Sequence, residues 1–182
     1  MAAIVAADIL FKYSTASGAA GNTTASTPAA SLGKYISTSA WAGGSANDLF
    51  DDISGAENAA STVDYRCIFI HNSNAANALQ NAVAYLSAEV AGGASIAIAV
   101  DNLTASNIGA SPAQSATIAT ETTTPSGVGA FSSPTTAGTG IALGTIGTGQ
   151  CRAIWVRRTA SNSAALSNDG VTIAVSGDTG SL

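Results

Sequence analysis

Charge is the scarcest property of this chain. Only 9% of its 182 residues are Asp, Glu, Lys or Arg, where soluble domains carry roughly 25%. A solitary globule keeps itself soluble with surface charge, so a surface this poor in ionic groups implies that much of it is covered by another molecule. Cations are rarer still: Lys12, Lys34, Arg66, Arg152, Arg157 and Arg158 against eleven acids, a net charge of −5. Nucleic acid is held by clustered Lys and Arg that displace counterions from phosphate, and Arg157-Arg158 alone is too short a patch. No nucleic-acid partner is expected.

Other scarcities close off other chemistries. One histidine and two cysteines match no common zinc spacing. Without a GxSxG elbow or a catalytic-cysteine signature, His71 has no partner for acid–base work and reads as a rim or interface residue at a strand end. Aromatics make up 5%, few for the stacking platforms of sugar-cleaving sites, although two carboxylates can meet in space from any positions. The glycines form neither GxxxxGK[ST] nor GxGxxG after a strand, so nucleotide binding has no support. No apolar run approaches the roughly 20 residues of a spanning helix, and MAAIVAADILFKYS lacks the basic start of a secretory signal. No membrane partner, cofactor, metal or enzymatic activity is expected, and a cytoplasm-like compartment of synthesis is.

What is present is alanine, glycine, serine and threonine, with short β-patterned runs between them. Gln150–Arg158 (QCRAIWVRR) is the densest: Ile154 and Val156 alternate with Cys151, Ala153 and Trp155, so both faces are apolar and the run predicts a central strand between two layers. Asp8–Ser14, Val63–Asn72, Leu79–Ala88, Ser95–Val100, Ala113–Ala119, Gly140–Ile146 and Val171–Gly177 read as further strands, punctuated by turn residues. The pattern predicts an all-β protein, an Ig-like or jelly-roll β-sandwich. Leu143 and Ile146 suit a plug where the chain crosses between sheets, with Gly147 and Gly149 in the crossing. Cys67 and Cys151 fall mid-strand; they are either an inter-sheet bridge across the core or, in a reducing compartment, two buried thiols.

Residues 1–46 read as an extended N-terminal arm and residues 47–182 as the sandwich domain. Ser17–Ser31 (SGAAGNTTASTPAAS) has linker composition, and its own side chains offer little to offset the entropy of ordering it. Contact with a neighbouring chain is therefore expected to fix it, with Ile9, Phe11, Tyr13, Tyr35 and Trp41 as the clasp. In NDLFDDISGAEN, Asp48 reads as the cap of a helical turn before Gly55. The same acids are candidate calcium ligands, but their spacing misses the twelve-residue EF-hand loop, and a solvated loop is the simpler reading. Arg157 and Arg158 are either a solvated strand end or partners for this acidic segment in a neighbouring subunit.

NDLFDDISGAEN, VDYRCIFIHNSN, GTGQCRAIWVRRT and DGVTIAVSGDT together resemble the small β-rich virion proteins of tailed bacteriophages, of the head-decoration or tail-accessory kind, over roughly residues 47–179. The resemblance implies an oligomer of copies of this chain on the capsid surface of the virion, assembled in the host cytoplasm, with the major capsid protein as partner and an arm clasping neighbours. Capsid decoration (cement) is the first functional expectation. A tail, baseplate or fibre component is the second, and a carbohydrate-binding module the third.

Overall fold

The computed structural model describes residues 3–110 and 112–181. Among them the chain forms strands β1 (Ile9–Thr15), β2 (Tyr35–Ala40), β3 (Val63–Asn72), β4 (Asn77–Glu89), β5 (Ser95–Val100), β6 (Ser106–Asn107), β7 (Ile141–Ile146), β8 (Gln150–Thr159) and β9 (Val171–Ser181), with one short α-helix, α1 (Gly55–Ala60). Two antiparallel sheets make a β-sandwich, the all-β architecture expected from the alternating runs. The larger runs β2-β1-β3-β8-β5, with β6 beside the start of β8, and the smaller runs β7-β4-β9.

Alternation along β8 organises the interior. Ile154 and Val156 point between the sheets, where Ile68, Ile70, Ile96, Ile98, Leu79, Leu86, Leu143, Ile146 and Ile173 join them in one apolar layer. Cys151, Ala153 and Trp155 point the opposite way and meet Ile36, Tyr65, Cys67, Phe69 and Ile118. Full burial of such side chains is worth roughly 1.5–3 kcal/mol each, so both layers hold the fold. Among the described residues no sheet lies over the second layer. Leu32, Ile108, Ala116, Val128 and Phe131, from irregular segments, cover it, so the large sheet is buried on both faces as the apolar pattern of β8 requires.

The crossing from the small sheet to the large one lies where expected. Leu143 and Ile146 on β7 are buried, and Gly149, at φ +67°, turns the chain into β8, a conformation that costs other residues a Cβ clash.

Four expectations are corrected. Residues 9–40 form no free arm: β1 pairs with β3 over Ile9–Tyr13 against Asn72–Ile68, and β2 pairs with β1. The Ser17–Ser31 stretch is ordered by its own chain, through bonds of the kind small polar residues make to backbone. The Ser26 hydroxyl donates to the Ser14 carbonyl, the Ser31 carbonyl accepts from Cys67 N–H at 2.8 Å, and Gly33 N–H donates to Ser14 Oγ at 2.8 Å. Gly33 sits so close that a Cβ would lie 2.0 Å from the Ala116 carbonyl oxygen. The expected strand over Ala113–Ala119 is irregular chain tied by Gln114 to Ile36 of β2 and by Ser115 to Lys34 just before it. The helical turn begins later than Asp48, at α1, capped by Ser54 and Glu57 in a reciprocal box.

Candidate interaction surfaces

The five residues expected to clasp a neighbour are engaged within the chain. Tyr13 and Tyr35 are buried at 8% and 7% exposure, and the Tyr13 hydroxyl donates to the Asp48 carbonyl. Phe11 and Trp41 meet edge to face, centroids 5.8 Å apart, and with Ile9 pack on the inter-sheet layer. They close the β1–β2 end of the sandwich. Alternation in Asp8–Ser14 already marked an amphipathic strand; what the sequence alone leaves open is that β3 lies beside it.

The acidic segment meets its arginines inside one chain. Arg158 is 6% exposed and Asp64 3%; Arg158 Nε and Nη2 donate to Asp64 Oδ2 at 3.2 and 2.8 Å, and Nη2 reaches Asp51 Oδ1 at 3.3 Å. Arg66, also buried, pairs with Glu121. The Phe50 ring lies under both guanidinium groups, 4.8 Å from that of Arg158 and 5.4 Å from that of Arg66, a cation–π arrangement strengthened by desolvation. A cleft of about 280 Å³ beside Arg66 is lined by Pro28, Asn47, Asp51 and Glu121, but the guanidinium is already taken by Glu121. Neither a solvated strand end nor a bridge to another subunit describes Arg158. Among the described residues no group of three or more His, Cys, Asp or Glu is placed to hold a metal ion.

His71 is buried near the end of β3, with Leu10 and Cys151 opposite it on the two flanking strands. Neither ring nitrogen has a hydrogen-bond partner. Burial, then the Lys12 ammonium on β1, hold its pKa below the ordinary value. Cys67 and Cys151 are both free. They lie in one layer on neighbouring strands of one sheet, Cys67 opposite Trp155 and Cys151 opposite His71, not on facing sheets. Burial raises the Cys67 thiol far above its usual range and pushes Cys151 up to about 12, which makes both poor nucleophiles.

Asp101, directly after β5, accepts more hydrogen bonds than any other carboxylate among the described residues. Fully buried, it accepts from Trp155 Nε1 at 3.0 Å, Ala116 N–H at 2.8 Å and Leu103 N–H at 2.9 Å. It thereby ties the irregular cover to the central strand. Position after a strand gives the turn reading; only the fold brings Trp155, 54 residues away, to its other oxygen.

The outer face of the small sheet remains open. Val83 and Tyr85 on β4 lie opposite Ala142, Ser176 and Ala174, with Ala142 and Ser176 exposed. The three strands carry two charged residues, Glu89 and Asp178, both near strand ends. Among the described residues no helix is long and apolar enough to cross a membrane. Compared with known proteins, the chain matches no family model, no curated protein and no solved structure.

Proposed function

We propose that the chain is a structural protein of a tailed-bacteriophage virion, a decoration protein that binds the assembled head lattice and stabilises it without catalysis. The observation that carries this reading is where the scarce charge sits. All four arginines lie on the large sheet, and Arg66 and Arg158 are themselves buried and paired with carboxylates, leaving the small sheet an open face of Val83, Tyr85 and Ala174 among small residues. Such a face is suited to burial against coat subunits, and a protein that binds only the assembled shell stabilises it by mass action. The internal engagement of Ile9, Phe11, Tyr13, Tyr35 and Trp41 moves the proposed contact from the N-terminal segment to this face.

Separation of purified virions into heads and tails, followed by quantitative mass spectrometry, tests the proposal. Recovery with heads, in fixed ratio to the major capsid protein, is the expected result. Recovery with tails alone would transfer the chain to the tail, baseplate or fibre, and absence from both would reject a virion role.

A further inference from the structure

We propose that the outer edge of β9 is a self-association strand, pairing antiparallel with β9 of a second copy across a two-fold axis. A sheet edge presents a row of unpaired N–H and C=O groups that invites another strand, and proteins blunt such edges by covering, bulging or charging them. Three of the four edges in this sandwich are treated in that way. β2 is covered, with Ile36 N–H on Gln114 Oε1 and Thr38 N–H on the Thr24 carbonyl. β5 is covered by Gly127–Ser132 through Ile98, Val100 and Asn102. β7 is six residues long and bulged at Gly144, φ +75°.

The edge at β9 is the least protected: it carries a single carboxylate, Asp178, and beyond β4 it is met by the Ile4 N–H, at the Thr179 hydroxyl, 3.2 Å away. It is an eleven-residue strand without Pro or Lys. Both irregularities in its pairing with β4 lie on β4, which advances three residues from Gln80 to Val83 while β9 advances two, and two from Leu86 to Ala88 while β9 advances one. β9 itself is regular. Among the described residues no backbone hydrogen bond reaches β9 from any strand but β4.

The occupant is a second copy for geometric and electrostatic reasons. β7 and β9 run in the same direction, so head-to-tail addition of one sheet to the next would join them in parallel, whereas two β9 edges related by a two-fold axis meet antiparallel, the more stable pairing. A register centred on Val175 sets Ala174 opposite Ser176 of the second copy and Thr172 opposite Asp178, so the two Asp178 carboxylates never face each other. The result is one continuous sheet, β7-β4-β9-β9-β4-β7, with an unbroken charge-poor outer face. This pairing stands whether or not the chain decorates a capsid.

The test is light scattering with amide hydrogen exchange on the full-length chain across a concentration series. The expected result is the mass of two chains, with exchange at Val171–Ser181 slowing as the dimer forms. In the double variant Ala174→Lys/Ser176→Lys, both side chains lie on the outer face, and ammonium groups would oppose their counterparts in the second copy. Its dissociation constant should rise about tenfold or more, with an unchanged circular dichroism spectrum. A wild-type chain that stays monomeric to about a millimolar, or a dimer whose β9 amides exchange as fast as in the monomer, would overturn the proposal. So would a folded double variant that dimerises like wild type. Should that variant fail to fold, the exchange series on wild type decides alone.

Discussion

The two sheets of this sandwich solve the problem of a charge-poor sequence in opposite ways. The large sheet turns everything inward: both faces are buried, both edges are covered by irregular chain, and its Arg66 and Arg158 are paired, one with Glu121 of the cover and one with Asp64 of β3. The small sheet has one buried face, one open face and a long, sparsely protected edge at β9. Low-complexity chain therefore does different work from what its composition suggests. Rich in Ser, Thr and Gly, it supplies short hydrogen-bonding groups and close approaches that let loops act as the third layer over the large sheet.

The largest effect that separates the two sheets is truncation. Deleting residues 1–46 removes β1 and β2 and uncovers half of β3, so the remainder should fail to fold cooperatively, where an arm would come away harmlessly; loss of the sigmoidal urea transition checks this. Next is Trp155→Ala, which empties a fully buried site and removes one of the three donors to Asp101; a loss of about 3–5 kcal/mol is expected from denaturation. Arg158→Met leaves Asp64 buried without its counter-charge and should cost about 3–5 kcal/mol, with α1 and its flanks exchanging faster.

Smaller still is a pH effect. The folded His71 binds its proton at lower pH than the unfolded residue, whose pKa is near 6.5. The unfolded chain is therefore protonated first, and stability falls as pH drops through and below that value, while above it His71 contributes nothing. The groups facing the ring are Lys12 from β1 and Cys151 from β8. Urea midpoints measured between about pH 7 and 5 should fall in wild type and flatten over that window in His71→Leu. The smallest change belongs to the open face, where Tyr85→Ser should shift stability by only about 0.5 kcal/mol.

Much of this fold was readable from residue order. Val63–Asn72 and Ser95–Val100 coincide with β3 and β5, and the two-sided apolar pattern of β8 identified the central strand, because side-chain alternation is local and directly encodes which face is buried. β2 is hard to recognise from residue order because Ser37, Thr38 and Ser39 dilute the alternation in Tyr35–Ala40, and its strand character comes from pairing with β1. The opposite case at Ala113–Ala119 has the same origin: a plausible local pattern, overridden by side chains that bond across to β2 and to Lys34 just before it. The candidate sites were less legible. That Arg158 meets Asp64 and that Asp101 meets Trp155 depends on partners 94 and 54 residues away, and no spacing rule carries that information.

Native-state hydrogen exchange on the full chain decides whether the irregular segments form part of the large sheet's folding unit. Amides of Lys34, Gln114, Ile118 and Ser132, which bond to Ala116, Lys34, Leu32 and Ile98, should exchange nearly as slowly as those of β3 and β8. If they exchange at the rate of free loops while β3 and β8 stay protected, the cover is not part of the fold and the account is wrong.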